Sequence, residues 1–467
     1  MGPIRNFERG RRLAARFRDL VPGGSHTYSR GEDQFPCLSP PLVDRAQGAY
    51  FWDVDGNRFL DWAMGVRAVI LGHAYPAVDD AVKAVIDRGV HFTRPGLLEY
   101  ELAEYLVDLL PVAEMVKFGK NGSDVTSAAV KLARAYTGRK FVAYCADHPF
   151  FSIHDWFIGT TPPNAGIPEE ASRHTLRFSY NDMPSVEALF AQHPGEIAAL
   201  ILEPVKSDEP RDGFLQKLRA VTEREGAILI FDEMVTGMRF DIRGAHHLWG
   251  VYPDLATYGK AISNGYSFSL LAGRRDLMEL GGLRHDKRRV FLLSQTHGAE
   301  TTGLAACRAT LDECQRVDIS RHVARVGHEL VDGVRSLAAS EGVGEYVRVG
   351  GFDCNPQIAC TRRSGQYWPE LNTAFHEEVI SHGVVIPWIS ITYSHGDEEL
   401  ARTLEAVGEG MRRVRRAIDE VPGPHFEGEP VKPVFRPFNR CRQAVCGRLD
   451  PSAPQLDCCR DGRGAPS

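Results

Sequence analysis

Several polar or small residues follow apolar, strand-like stretches of the sequence, at the points where those stretches would end. They are Gly122–Ser123, Glu203, Asp232 and Lys260. In open α/β sheets ligands bind beyond the carboxyl ends of the parallel strands, so we expect these residues to surround one site. The lysine could bond to an aldehyde, the aspartate could balance a ring cation, and the glycine–serine pair could hold an anion.

Lys260 has the most specific chemistry in this set. It lies between Gly259 and Ala261, and small neighbours would let a flat ligand approach its side chain. A desolvated lysine has a lowered pKa and can form a Schiff base with a carbonyl group. An exposed loop lysine is the alternative, and it is favoured when Lys260 is considered alone.

Asp232 lies at the end of the apolar stretch AILIFD. A carboxylate at the end of a buried strand is costly unless a positive group lies next to it. A protonated pyridine nitrogen would be such a group. A helix-capping role, or an ion pair with an arginine such as Arg239, accounts for Asp232 equally well.

The segment KNGSD places Gly122 and Ser123 between a strand and a helix that we predict to begin with Asp124. Backbone N–H groups and the positive end of a helix dipole favour a phosphate there, although a plain serine N-cap is the stronger interpretation of this segment alone. The segment matches neither GxxxxGKS/T nor GxGxxG, so neither a P-loop nucleotide nor a dinucleotide is indicated. A phosphate site, a carboxylate and an amine together indicate pyridoxal 5′-phosphate.

Short apolar runs alternate with helix-like periodicity in the part of the chain that carries these residues. The predicted strands are 115–119, 141–145, 198–204, 227–233, 255–259 and 268–273. Their continuous apolar character predicts a mostly parallel sheet that is buried on both faces. Helices are predicted over 97–110, 316–340 and 399–420.

The composition is typical of a globular protein, with a net charge of −6 that indicates no nucleic acid partner. No run of 18 apolar residues and no secretion signal is present, so we expect a cytoplasmic protein without a membrane partner. Six of the ten cysteines are scattered without metal-ligand spacing, and four lie in residues 436–467. We expect that tail to be disordered and no metal to be bound, with zinc in the tail as a minor alternative.

Longer motifs follow one another in order along residues 20–435. They are VPGGSHTYSR (21–30), GAYFWDVDGNRFLDW (48–62), LGHAYP (71–76), KNGSDVTSAAVKLARAYTGR (120–139), ILEPV (201–205), LIFDEMVTGMR (229–239) and PDLATYGKAISNGYSFSLLAGRRDLM (253–278). The set resembles class III aminotransferases of fold type I, which depend on pyridoxal 5′-phosphate, and among them the glutamate-1-semialdehyde 2,1-aminomutase type.

The resemblance implies an α/β fold with a large domain, built on a central, mostly parallel seven-stranded sheet between helices, and a smaller α+β domain. We expect residues 71–320 to form the large, cofactor-binding domain. Residues 1–70 and 321–435 are expected to form the small domain, followed by the tail at 436–467.

The resemblance also implies roles in the cofactor site. Lys260 is the Schiff-base lysine and the base that moves a proton, and Asp232 pairs with the pyridinium nitrogen. Gly122 and Ser123 hold the phosphate. Glu203 completes the set of strand-end residues that we expect to bind the cofactor.

Three further residues are expected at the cofactor by resemblance. Val235 packs on the ring. Phe150 replaces a stacking tyrosine of the family and Phe151 replaces a histidine, in the segment HPFFSIHDWFIG (148–159). Thr296, in SQTHGAETTGLAA (294–306), reaches the phosphate bound to the partner subunit, which implies a homodimer with active sites at the subunit interface.

Substrate-binding residues are predicted from the opening motif and from one C-terminal aromatic residue. Arg30 matches a basic residue of the family that binds a carboxylate or another anion, and a surface arginine is an equal alternative. His26, Tyr28 and Trp388 suggest a polar ring substrate.

The function implied is a transaminase that moves an amino group from a donor, with glutamate as the candidate, to a ketone or aldehyde of a sugar or natural-product intermediate. An intramolecular aminomutase is the first alternative. Family mutases carry a glutamate in a C-terminal segment that corresponds here to VVIPWISITYSHGDEEL (384–400), which has no carboxylate before His395. A non-catalytic sensor or scaffold that keeps the same fold is the second alternative.

Overall fold

The computed structural model describes residues 4, 6–419 and 424–439 of the chain. Three sheets are formed by short strands of two to six residues. The strands are β1 Val43–Gln47, β2 Tyr50–Asp53, β3 Arg58–Asp61, β4 Met115–Gly119, β5 Phe141–Cys145, β6 Thr175–Phe178, β7 Ile197–Leu202, β8 Ile228–Asp232, β9 Leu255–Tyr258, β10 Ser269–Gly273, β11 Val347–Phe352, β12 Asn355–Cys360 and β13 Val384–Val385.

Helices separate most of these strands. They are α1 Glu8–Leu20, α2 Met64–Arg67, α3 Pro76–Ile86, α4 Leu97–Leu109, α5 Gly122–Thr137, α6 Asp155–Ile158, α7 Glu169–Ser172, α8 Met183–Gln192, α9 Phe214–Glu225, α10 Arg275–Met278, α11 Thr301–Arg316, α12 Ile319–Ser340, α13 Pro369–Ser381 and α14 Asp397–Asp419. Among them, α2 is a left-handed turn, because φ is positive at all four of its residues.

The large sheet has seven strands in the order β4–β10–β9–β8–β7–β5–β6. β10 runs antiparallel to both of its neighbours, and the other pairs are parallel. Every residue of β7 and β8 is buried, as expected for strands covered by helices on both faces. The predicted seven-stranded, mostly parallel sheet is therefore confirmed, together with the six strands predicted in it.

A smaller sheet combines three strands from the N-terminal part of the chain with one strand from the C-terminal part. Its order is β1–β2–β3–β13, in which β13 pairs in parallel with β3, while β11 and β12 form a separate antiparallel pair. Because residues 43–61 and 384–385 share one sheet, we propose that the N-terminal and C-terminal segments form the small domain together.

The predicted helices are present with shifted ends. The prediction 316–340 began too early, since α11 ends at Arg316 and Asp318 adopts a left-handed φ of 47° before α12 begins. The helix expected to begin with Asp124 begins two residues earlier, at Gly122. Asn121 is its N-cap, and the Asn121 N–H donates to Asp124 Oδ2 at 3.0 Å.

Within the described residues, no helix has the length and apolar character needed to cross a bilayer. The same part of the chain contains no cluster of three or more histidine, cysteine, aspartate or glutamate side chains that could bind a metal. The four cysteines of the predicted disordered tail lie in residues 440–467, outside the described residues. Arg436, the first residue of that predicted tail, forms an ion pair with Asp33.

Candidate active site

Asp232 is positioned by the parallel pairing of β8 with β9. Asp232, the last residue of β8, lies opposite Thr257 in the register of the two strands. Its Oδ1 atom accepts the Thr257 hydroxyl at 3.1 Å and the Met234 N–H at 3.0 Å. The carboxylate is therefore held at the carboxyl edge of the sheet, where ligands of open α/β sheets bind.

The Asp232 carboxylate is buried, and among the described residues no cation lies within ion-pair distance of it. Burial raises its pKa to about 7, and Glu203 acts in the same direction. The alternative of an ion pair with Arg239 is wrong, because Arg239 donates to the carbonyls of Val235 and Arg67. The helix-capping alternative is also wrong, since turns follow Asp232. A cation placed against this carboxylate would lower its pKa and stabilise it.

Lys260 begins a short 3₁₀ turn, Lys260–Ser263, directly after β9. Its φ is +48°, a strained conformation for a non-glycine residue and one that is common at active sites. Burial lowers its pKa to about 8, while Glu203 and Asp232 act in the opposite direction. Lys260 is partly buried, so the alternative of an exposed loop lysine is wrong.

Glu203 follows β7 and is buried. Its Oε1 accepts Lys206 Nζ at 2.6 Å, and its N–H donates to His148 Nδ1 at 3.1 Å. Burial raises the pKa of Glu203, but Lys206, His148 and Lys260 outweigh it and leave the pKa below its ordinary value. Lys206 was missed from the sequence, although its spacing of three residues from a strand-end carboxylate was a usable signal.

The N-terminus of α5 supplies the predicted phosphate site. Gly122 and Ser123 occupy the first two helical positions, and N–H groups there have no acceptor within the helix. The Ser123 hydroxyl accepts the Ile153 N–H at 3.1 Å. Because Asn121 is the N-cap, the interpretation of Ser123 as a plain N-cap is wrong. The 16-residue helix directs its positive end toward the site.

Met234 connects the phosphate side of the site with Lys260. A side chain added at Gly122 would lie 2.9 Å from Met234 Sδ, and one added at Gly259 would lie 2.6 Å from the same atom. Met234 therefore fills the space between the α5 N-terminus and the Lys260 turn, and a side chain at either glycine would displace it. Sequence analysis assigned ring packing to the next residue, Val235, which is buried, and that role stays a prediction.

The segment that carries Phe150 crosses the N-terminus of α5. The Thr126 hydroxyl donates to the Phe151 carbonyl, and Phe151 is buried against His148 with ring centroids 6.3 Å apart. The Phe150 side chain is 41% exposed, which leaves a ring face free for a ligand. Stacking of Phe150 on the cofactor stays a prediction.

Thr296 is exposed on the loop that precedes α11. The neighbouring Gln295 lies beside Gly119 at the end of β4, since a side chain added at Gly119 would be 3.6 Å from Gln295 Oε1. The loop therefore passes the carboxyl edge of its own sheet and presents Thr296 outward. Its predicted contact with the partner subunit's phosphate stays a prediction.

The predicted substrate residues are distributed over two regions. His26, Tyr28 and Arg30 are exposed. His26 packs edge-on against Phe17 of α1, with ring centroids 6.3 Å apart. Among the described residues no hydrogen bond or ion pair joins the side chains of Tyr28 or Arg30 to Glu203, Asp232 or Lys260. Trp388 lies closer, as described next.

Trp388 is half-buried and donates from Nε1 to the Ala63 carbonyl at 3.0 Å. Ala63 immediately precedes the left-handed turn α2, whose last residue accepts a hydrogen bond from Arg239. Trp388 is therefore tied to the segment that reaches the region after Asp232. Its contact with substrate stays a prediction.

Three features of this site fit pyridoxal 5′-phosphate. Among the described residues a buried carboxylate lacks a paired cation, an amine has a lowered pKa, and the N-terminus of a long helix lies against Met234, which also lies against Gly259. A family model described as aminotransferase class-III matches residues 27–387. The chain belongs to the class III aminotransferases.

Sequence relatives of this class III aminotransferase match most of the chain. The chain is 32% identical over 423 residues to a glutamate-1-semialdehyde 2,1-aminomutase of Syntrophobacter fumaroxidans, with 85% of this chain and 95% of the relative covered. The resemblance to that type is thereby confirmed.

Two solved structures share its fold. The FumI protein of Sphingopyxis sp. MTA144, in its pyridoxal-phosphate internal aldimine form, superposes with a TM-score of 0.81 at 26% identity, covering 89% of this chain and 99% of the other. An omega-transaminase of Sphaerobacter thermophilus superposes with a TM-score of 0.79 at 26% identity, covering 87% and 98%. The class III aminotransferase is thus a fold type I transaminase that depends on pyridoxal 5′-phosphate, and Asp232, Lys260 and the N-terminus of α5 are the groups that would hold it.

Proposed function

We propose that this aminotransferase takes an amino group from an amino acid, with glutamate as the first candidate, and transfers it to a ketone or aldehyde of a sugar or natural-product intermediate. The observation that carries the choice of a transaminase over a mutase is the stretch VVIPWISITYS (384–394), which contains no carboxylate. This stretch lies beside the site, since the Ser390 hydroxyl accepts Arg239 Nη2 at 2.9 Å. The resemblance to an omega-transaminase adds support.

The roles of the side chains follow from their pKa values and positions. Bound pyridoxal 5′-phosphate supplies an electron sink that stabilises negative charge on the substrate carbon. Lys260, with a pKa of about 8, can take a proton from that carbon and return one near neutral pH. Asp232 keeps the ring nitrogen protonated, and the N–H groups of Gly122 and Ser123 hold the phosphate.

The test is a screen of amino donors against the purified holoenzyme. The readout is the visible absorbance of the lysine-bound cofactor. We expect at least one amino acid to remove this absorbance and release its oxoacid, and an added ketone or aldehyde to restore the absorbance. A panel of amino acids and amines that leaves the absorbance unchanged would favour the non-catalytic alternative instead.

The mutase alternative needs its own measurement. Protein loaded with the amine form of the cofactor is mixed with glutamate 1-semialdehyde and no other donor or acceptor. We expect the spectrum to stop at the aldehyde form, with one equivalent of diamine formed. Catalytic conversion of the semialdehyde into its isomeric amino ketone, with the starting spectrum regained, contradicts the proposed transaminase.

The proposal includes a homodimer in which Thr296 acts in the partner's site. Thr296 is exposed, and the rings of His91 and His297 lie 5.4 Å apart beside it. Exposed apolar side chains occur in the same region: Phe92 (47%), Leu97 (64%), Tyr100 (60%) and Phe291 (72%). They could be covered by a second copy.

Mixing two inactive variants tests this arrangement. A heterodimer of Lys260→Ala and Thr296→Val chains contains one intact site only if Thr296 serves the other subunit. We expect activity to rise above the sum of the separate variants, and an additive result contradicts the arrangement. The cytoplasmic location stays a prediction of the sequence.

A further inference from the structure

The left-handed turn α2 is the most strained backbone segment near the site. Its φ angles are 47° at Met64, 60° at Gly65, 63° at Val66 and 66° at Arg67. Non-glycine residues avoid this region, and β-branched residues such as valine avoid it most strongly. Such strain persists where the surrounding structure fixes it, and it is frequent at ligand sites.

Two side chains fix the ends of this turn, one from the segment after Asp232 and one from the stretch 384–394. Arg239 Nη2 donates to the Arg67 carbonyl at 2.9 Å, and the same group donates to the Ser390 hydroxyl. Trp388 Nε1 donates to the Ala63 carbonyl at 3.0 Å. The backbone of Arg67 is therefore anchored close to the residues that follow β8.

Asn264 fixes the residues after the turn against the Lys260 segment. It ends the 3₁₀ turn that begins at Lys260. Its Oδ1 accepts the N–H groups of Ile70 and Leu71 at 3.0 and 2.9 Å, and its Nδ2 donates to the Gly72 carbonyl at 3.0 Å. Arg67 is thus held between the segments that carry Asp232 and Lys260.

Among the described residues, the guanidinium of Arg67 has no hydrogen-bond or ion-pair partner. Its Nε is buried without a hydrogen-bond acceptor, and no ion pair reaches Arg67 from any of the described residues. Burial lowers the pKa of Arg67, with Glu203 acting in the opposite direction. Arg67 is in turn one of the groups that lower the pKa of Lys260, so its charge acts on the reacting amine.

The anions of the site are already assigned to other cations. Glu203 is paired with Lys206 at 2.6 Å, and Asp232 is the partner predicted for the ring nitrogen. An unpaired, partly buried arginine is unfavourable, and arginine is the side chain best suited to bind a carboxylate through two parallel hydrogen bonds. A negative group of the substrate would satisfy it.

We propose that Arg67 binds a carboxylate of the substrate, so that this transaminase acts on donors or acceptors that carry a carboxylate near the reacting carbon. The inference rests on the proposed function and extends it to a substrate class. It assigns the carboxylate to Arg67 and not to Arg30, which sequence analysis named for anion binding with a surface arginine as an equal alternative, and which is exposed on the turn Tyr28–Arg30.

Arg67→Met and Arg67→Lys are compared with wild type in cofactor half-reactions. The donors are 4-aminobutanoate, β-alanine and L-alanine, each paired with its uncharged carboxamide. We expect wild type to favour the carboxylate in at least one pair. Arg67→Met should reduce that preference about 10- to 100-fold, mainly by raising the donor concentration needed for half of the maximal rate. Arg67→Lys should retain part of the preference. A preference unchanged in Arg67→Met overturns the proposal, as does a wild type that favours no carboxylate.

A binding measurement separates this proposal from the proposed function. Calorimetry of glutarate binding to the holoenzyme requires no turnover, and we expect Arg67→Met to weaken it about 10-fold or more. Arg134→Met is the matched control, because Arg134 is also partly buried and donates only to a backbone carbonyl, that of Lys140. If Arg67→Met loses glutarate binding while wild type shows no transamination, the assignment of Arg67 as a carboxylate-binding residue stands. The proposed transaminase function is then contradicted. A loss of cofactor affinity in Arg67→Met would assign Arg67 to the cofactor and overturn the proposal.

Discussion

The cofactor side and the substrate side of this active site are built in different ways. On the cofactor side, Asp232 and Lys260 lie at or just after the ends of adjacent parallel strands, and a long helix presents its N-terminus, the predicted phosphate site. On the substrate side, hydrogen bonds join loops that are far apart in sequence, such as Trp388 to Ala63 across 325 positions. The sheet therefore positions Asp232 and Lys260, while long-range contacts between loops position the residues that we propose to select the substrate.

The largest effect is expected on the cofactor side, from Lys260→Ala. Removal of the amine eliminates both the covalent attachment and the proton carrier, so activity should fall about 10⁴-fold or more. The visible absorbance of the lysine-bound cofactor should also disappear. Lys140→Ala, at an exposed lysine, is the control and should leave both unchanged. Substantial activity in Lys260→Ala would contradict the role of Lys260 and, with it, the expected difference in effect between the cofactor side and the substrate side.

Asp232→Asn should have the second largest effect. The amide keeps the size of the side chain but cannot stabilise a protonated ring nitrogen, so we expect kcat to fall about 100-fold or more. Asp312→Asn, at an exposed residue paired with Arg308, is the control. A kcat within a fewfold of wild type would mean that the Asp232 carboxylate does not stabilise the protonated ring nitrogen of the cofactor.

The pH dependence of cofactor capture measures the environment of Lys260. Only the neutral amine attacks the aldehyde, so the rate of reconstitution of the apoenzyme should rise about tenfold per pH unit and level off near pH 8. Glu203→Gln should move this midpoint downward, because Glu203 raises the pKa of Lys260. A rate that continues to rise toward pH 10.5, the ordinary lysine value, would contradict a buried amine.

The smallest effect is expected on the substrate side, from Trp388→Phe. The change removes the hydrogen bond to the Ala63 carbonyl that holds the left-handed turn. We expect KM to rise roughly threefold to tenfold with kcat nearly unchanged. Trp249→Phe, in an indole whose ring packs on Phe240 and Phe352, is the control. An equal loss of kcat would show that the loop contributes to the chemical step.

The strand ends that carry Asp232 and Lys260 could be predicted from the sequence because their signals are local. Apolar stretches that end in Asp232 or lead into Lys260 indicate buried strands, and the structure has those strands within one or two residues of the predicted ends. Met234 was missed from the sequence, because its contact with two glycines that are distant in the chain appears only in the structure.

The substrate side could not be predicted in the same way. Nothing in the sequence AMGVRAV (63–69) indicates a left-handed turn, since valine and arginine disfavour it and the turn depends on Arg239 and Trp388. Arg30 was named from the sequence because it matched a motif, and Arg67 was missed because the isolation of its guanidinium becomes visible only from its surroundings. Long-range contacts of this kind leave no periodic pattern in the chain.

Chemical trapping of the cofactor tests the central claim most directly. The holoenzyme is reduced with borohydride, digested, and searched by mass spectrometry for the lysine that carries the pyridoxyl group. The account predicts a single modified position, Lys260. Modification at Lys206, the lysine that pairs with Glu203 in the same site, or at any other lysine in place of 260, would contradict it.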